Sequence, residues 1–382
     1  MRARRLNDVP GFGIDKVAAA AGDDPEVLRM ENLDTDLPPP PEAIDATRQA
    51  TGPVEFNSWL PFSGRYDMKE AVADHVERRS GVRYDPYSEI VITTSEGSGL
   101  LDTLLATTDP GDEVILTDPT YAGMINRVRL AGAVPRFANC LPADGHWRLD
   151  IESLRGAVSG KTKAIFLQNP TFPSGMVFTH EEWQEITDLV LERSLHLIYW
   201  AVMEGLLFDG RPLIHPASFS GMRNRTITLG TVSVEYRMIG WRVGWAVADP
   251  ETADAIGKVH IYNGLVASGF AQAGAIAALR SSPDDLAAAV AEFQRRRDVV
   301  MEQLNGFPAI NPSGGWSLLL DTEAMGISPA EASAQLLEQK VAATPMTAWG
   351  ERVAPRCVRF VFSREPVDRL QQLRKRVRKA LA

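Results

Sequence analysis

Arg359 is the residue whose setting asks most strongly for a chemical role. It stands inside the apolar run CVRFVFS, 357–363. A guanidinium there can hold an anionic group bidentately through its planar fork of N–H donors. The competing identity is an ordinary residue on a strand edge. The other versatile side chains offer less. Cys140 and Cys357 lie far apart and fit no zinc-ligand spacing, which makes them small buried thiols. Of the six histidines, His75, His180 and His196 read as surface or strand-end residues. Lys258, in AIGKVHIYN, reads as an amine on a helix surface.

Charge narrows the partners. Forty Lys and Arg against 49 Asp and Glu leave a formal charge of −9, with a pI near 5.3. A general nucleic-acid or anionic-membrane binder needs a basic surface and is excluded. The stretch MRARRLNDVPGFGI begins basic, but no apolar run follows it, so it does not read as a signal peptide. No segment approaches the roughly 20 apolar residues that span a bilayer. The expectation is a cytoplasmic protein with no metal and no disulfide framework, acting on a small molecule.

The elements that must position these residues follow from periodicity. YDMKEAVADHVERR (66–79) and SGLLDTLLATT (98–108) have helical spacing. EIVITT (89–94), EVILTDPTY (113–121), TKAIFLQNP (162–170), LHLIYW (195–200) and RTITLGTV (225–232) read as strands, several of them buried on both faces. HEEWQEITDLVLERS forms a helix between two of them. Alternation of this kind predicts a mostly parallel sheet with helices on both faces. ENLDTDLPPPPEA, 31–43, reads as an extended arm. From about 284 a long helix, DDLAAAVAEFQRRRDVVMEQLNG, leads to a smaller α+β region and an Arg-rich last helix, whose basic turn suits the helix dipole.

Several of these segments, in this order, resemble the aspartate-aminotransferase family, the fold type I enzymes that use pyridoxal 5′-phosphate (PLP). They are ENLDTDLPPPPEA, LPFSGRYDMKEAV, DPGDEVILTDPTYAG, QNPTFPSG, GWRVGWAVADP and CVRFVFS. The resemblance runs from about residue 30 to the end. It implies an α/β large domain over 49–283 with a mostly parallel central sheet. A smaller α+β domain is then formed by an N-terminal arm (1–48) and the C-terminal part (284–382).

The resemblance also assigns site positions, and here the chain departs from the family. TVSVEYRMIGWR matches the pattern that carries the Schiff-base lysine, and the lysine position is Val234. WAVMEGLLFDG puts Trp200 where the family has the aspartate that pairs with the pyridinium nitrogen. Met203 stands for the tyrosine on the phenolic oxygen, Phe172 for the neighbouring asparagine, and Trp59 for the tyrosine donated across the dimer interface. Glu96, in TSEGS, sits in the phosphate cradle. Arg242 (the phosphate arginine), Tyr121 (the ring-stacking tyrosine) and Arg359 (the substrate-carboxylate arginine) are kept. Glu235 and Arg237, flanking Val234, read as exposed turn residues.

Two identities stay open for the aromatic replacements: filler of a collapsed cavity, or walls of a pocket. Arg242 either binds an anion or closes a salt bridge with Glu96. The expectation drawn from these losses is a homodimeric enzyme without PLP that cyclises, eliminates or isomerises a carboxylate- or carbonyl-bearing apolar molecule. Glu96, Tyr121 and Arg359 would be its catalytic candidates, and Trp59, Phe172, Trp200, Met203, Val234, Arg242 and Arg359 its binding residues. The alternatives are a non-catalytic binding or regulatory subunit, and an aminotransferase inactivated by substitution.

Overall fold

The strand segments at the middle of the sequence are apolar on both faces, and such strands are stable only where helices cover both sides. In a computed structural model, which describes residues 3–10 and 13–381, eight strands form one sheet. Its spatial order is Ile90–Thr93, Gly244–Val247, Thr226–Thr231, His196–Trp200, Thr162–Gln168, Glu113–Asp118, Val134–Ala143 and His146–Leu149. The pairings from Thr226–Thr231 through to Val134–Ala143 are all parallel. Gly244–Val247 runs antiparallel to both its neighbours, and His146–Leu149 forms an antiparallel edge. Leu197, Ile198, Ile165 and Leu229 in the central strands are wholly buried.

Local chemistry sets the ends of these elements. The strand expected over 113–121 stops at Asp118, before Pro119, which has no N–H for a ladder. The helix Tyr66–Ser80 ends on Gly81 in the left-handed conformation (φ 71°). The helix His180–Glu192 starts with a capping box between Thr179 and Glu182. The arm is extended only as far as Pro40. Pro41 then opens the helix Pro41–Ala50, as suits a first-turn proline.

A second, antiparallel sheet has Cys357–Val361 between Ser317–Asp321 and Thr344–Pro345. The chain start joins this part through a short parallel pairing of Leu28–Arg29 with Val341–Ala342. The helix Pro283–Gln303 buries Arg296 and Arg297, which pair with Asp36 and Asp209 at 2.6 Å each. Both cysteines are buried and free. Part of MRARRLNDVPGFGI, residues 1–2 and 11–12, and Ala382 of the last helix lie outside the described residues.

Candidate functional site

A parallel sheet delivers its strand C-termini, and the loops after them, to one edge. Trp200 and Gln168 are the last residues of their strands and stand in register with each other. Tyr121 follows Glu113–Asp118, Val234 follows Thr226–Thr231, and Glu96 opens the helix after Ile90–Thr93. These side chains converge on a cleft of about 290 Å³ that includes Glu96, Tyr121, Phe172, Trp200, Met203 and Val234 in its lining. Six positions taken from the sequence are thus brought together. Ile14 and Asp15 of the helix Gly13–Ala21, together with Asn32, Leu33 and Gln168, complete much of the wall. No signal in the sequence marked Ile14, Asp15, Asn32 and Leu33, because their approach depends on how the chain start folds back over the sheet, whereas Gln168 ends a central strand inside the stretch QNPTFPSG.

The cleft is apolar with an acidic rim. Trp200, Met203 and Val234 are 5% exposed or less, and Trp200 packs edge-on against Phe166. Glu96 Oε2 lies 3.5 Å from the Ser233 hydroxyl. Ser95 caps the helix by accepting the Ser98 N–H. Arg127 reaches over the same turn, donating to the carbonyls of Gly97 and Gly123 at 2.8 Å each. Among the described lining residues the charged side chains are Glu96 and Asp15, with no lysine or arginine.

Three expected site residues are placed elsewhere. Arg242 is exposed and donates to the Ile239 carbonyl at 2.8 Å, so it neither lines the cleft nor pairs with Glu96. Its left-handed backbone (φ 55°) follows the short 3-10 turn Ile239–Trp241. Trp59 is 76% exposed and touches Phe62 edge-on. Arg359 is fully buried, one side chain away from the cleft. Its guanidinium lies 4.9 Å from the ring centre of Phe172 and 4.7 Å from that of Trp349. Tyr121, Phe172 and Trp349 pack on one another with ring centres 5.2–5.6 Å apart. Burial raises the Tyr121 pKa.

Arg359 is incompletely satisfied. Its Nη2 donates to the Glu31 carbonyl and to the Thr344 hydroxyl, while Nε and Nη1 are buried without a partner among the described residues. Burial pulls its pKa down to about 9, leaving it a cation at neutral pH. A buried donor pair of this kind is costly unless an acceptor arrives.

Three other readings need correction. Glu235 and Arg237 are 2% and 7% exposed, not solvent-facing turn residues. Glu235 pairs with Arg79 at 2.8 Å and Arg237 with Asp285 at 2.6 Å. His75 is buried between Tyr236 and Trp245.

An α/β chain whose cleft lies at the strand C-termini of a mostly parallel sheet defines the class. The chain belongs to the aminotransferase class I and II family, whose model matches residues 28–377. It is 31% identical over 334 residues to a probable aspartate/prephenate aminotransferase of Aquifex aeolicus, covering 85% of this chain and 83% of that one. It is 30% identical over 298 residues to aromatic-amino-acid aminotransferase 2 of Thermococcus litoralis, covering 77% and 76%. The structure of N-succinyldiaminopimelate aminotransferase from Mycobacterium tuberculosis superposes with a TM-score of 0.94 at 28% identity, over the whole of both chains.

These findings overturn two expectations. The relatives are named aminotransferases, and nothing among them points to cyclisation, elimination or isomerisation without PLP; that reading is withdrawn. The expectation that the family's cofactor plays no part falls with it, since membership points to a PLP-using family. The side chains themselves are a poor seat for a tethered cofactor. Neither the isopropyl group of Val234 nor the indole of Trp200 supplies an amine or a carboxylate, and no described lining residue is a lysine. Among the described residues, no helix is long and apolar enough to cross a membrane, and no cluster of His, Cys, Asp and Glu could hold a metal.

Proposed function

We propose that this cleft recognises a small amino or oxo acid with an aromatic or cyclic body, a class that the names of some of its relatives include. In this reading Val234 and Trp200 occupy the family's lysine and aspartate positions, as the stretches TVSVEYRMIGWR and WAVMEGLLFDG support. The observation that carries the proposal is the buried guanidinium of Arg359, with two donors lacking an acceptor beside an aromatic-walled cleft. A carboxylate would satisfy the Nη1 donor and offset the burial of the charge. Because Arg359 lies beyond Phe172 and does not line the cleft, one of the rings that cover it has to turn aside as the carboxylate enters. Trp200, Met203 and Val234 then take the apolar body and exclude water from it. Asn32 and Gln168 supply neutral polar groups at the wall.

The names of the relatives support this class. Aspartate, prephenate and aromatic amino acids all carry a carboxylate, and the last two also carry a ring. The proposal extends to a homodimer, supported by exposed Val54, Trp59, Tyr262 and Leu265 and by the packing of the helix Val54–Asn57 on the helix Gly269–Leu279.

The test is calorimetric titration of the chain with phenylpyruvate, L-phenylalanine, prephenate and L-aspartate. The ring-bearing acids should bind more tightly than aspartate. Arg359→Gln should weaken them at least tenfold, about 1.4 kcal/mol. Equal affinity of the wild type and Arg359→Gln for every acid would remove the basis of the proposal. A parallel absorbance titration with PLP reports separately whether the family's cofactor enters.

A further inference from the structure

A second recess lies outside the cleft and shares no lining residue with it. It has a volume of about 520 Å³ and is walled by the helices Tyr66–Ser80 and Pro250–Asn263 and by the edge strand Ile90–Thr93. Phe62, Val91 and Ile261 give it an apolar wall, Ser63, Ser88 and Asp254 add polar groups, Gly257 leaves one side low, and Lys69 brings an amine.

Lys69 is 5% exposed. An ammonium so enclosed ordinarily has a carboxylate against it. Lys69 has no ion pair among the described residues, and its Nζ makes one long hydrogen bond, 3.4 Å, to the Tyr87 carbonyl. Burial lowers its pKa, and the charge of Asp85 opposes that shift only in part. Lys258, which also lines the recess, is held by Asp254 at 2.5 Å. Lys69 is therefore an amine held in a partly apolar recess, with few competing contacts and more of its free-base form than a surface lysine has.

We propose that this recess is a carbonyl-binding site, in which the apolar walls hold a small hydrophobic aldehyde while Lys69 Nζ condenses with it. The nitrogen lone pair forms the C–N bond. The carbonyl oxygen takes up the two amine protons and leaves as water, and a C=N bond remains. Nothing is oxidised or reduced. The site is separate from the cleft, so it stands or falls independently of the amino- or oxo-acid reading.

The experiment treats the full chain with limiting benzaldehyde and cyanoborohydride at neutral pH, then quantifies alkylation of its eight lysines by peptide mapping. Lys69 should react severalfold faster than exposed Lys161 and Lys163, because burial leaves more of its amine unprotonated. Gly257→Leu should abolish that advantage by filling the recess. A Cβ at 257 meets only Val91 Cγ2, at 3.7 Å, so the helix has room for it. Benzamide, which cannot form an imine, should protect Lys69 and leave Lys161 unchanged, a measurement that needs no variant. Labelling of Lys69 no faster than Lys161, absence of protection by benzamide, or a preference that survives Gly257→Leu in a variant melting like the parent would each overturn the proposal.

Discussion

Met203 and Val234 face the cleft, while their chain neighbours Glu204 and Glu235 point into a buried group with Arg79, Tyr199 and His215. Glu235 pairs with Arg79 and also accepts the Gly205 N–H at 2.5 Å, tying the two lining loops together from behind. Glu204 is left with the Tyr199 hydroxyl at 3.2 Å and a histidine nitrogen at 4.0 Å. Burial pushes Glu204 up to about 8 and His215 down to about 3. The signs are opposite. Between 4.5 and about 8 the native state keeps a proton on Glu204 that the unfolded chain has released, so stability falls as pH rises through that window. Below 6.5 the unfolded chain protonates His215 while the native state resists to about 3, so stability also falls as pH drops. Calorimetric melting of the wild type should decline from pH 6.5 to about 8, and Glu204→Gln should remove most of that decline. A wild-type melting temperature flat over this range would contradict the assignment. The burial of Glu235 and Arg237 was hidden in the sequence for a plain reason: Arg79 and Asp285 are 156 and 48 residues away. Positions such as Trp200 and Val234 were legible because a motif fixes them to strand ends. The seclusion of Arg359 behind Phe172 was not, since it depends on ring packing between separate parts of the chain.

Elements were the most readable scale. The buried strands and long helices announce themselves by apolar period, and their ends by proline, glycine or a capping residue. The pairing of Leu28–Arg29 with Val341–Ala342 carries no such signal, because two residues have no period. The helix His180–Glu192 shows how an element's start is fixed twice. Thr179 accepts the Glu182 N–H at 3.1 Å, and Glu182 accepts both the Thr179 N–H at 2.7 Å and the buried Leu149 N–H at 3.1 Å. Thr179→Ala loses the cap alone and should cost about 1 kcal/mol. Glu182→Ala also strands the Leu149 N–H, on the edge strand His146–Leu149, and should cost about 2–3 kcal/mol. Urea unfolding of both variants distinguishes the two. Equal losses would mean that Glu182 does no more than cap its own helix.

At the scale of the whole molecule, the uneven distribution of exposed apolar groups asks for a partner. Val54, at 75% exposure, opens the short helix Val54–Asn57, which packs on the helix Gly269–Leu279, and Trp59, at 76%, follows it. Tyr262 at 92% and Leu265 at 58% stand at the junction leading into that second helix, and Phe270 lies on its first turn. Isolated exposed apolar residues need no explanation, but a group gathered where two helices meet does. A two-fold contact would place the same patch on both chains and cover it with one surface. The proposed homodimer therefore predicts sedimentation at twice the 41.9 kDa chain mass at micromolar concentration. It also predicts blue-shifted Trp59 fluorescence relative to a dissociated chain, read as the difference between the wild type and Trp59→Phe. The double variant Trp59→Ser/Tyr262→Ser removes two large apolar side chains from the patch and adds no charge. It should sediment as a monomer over the same range while keeping the far-ultraviolet circular dichroism of the parent, because neither residue contributes to the buried core. A wild type that sediments as a monomer, or a double variant that stays dimeric, would show that these residues are not what brings two chains together.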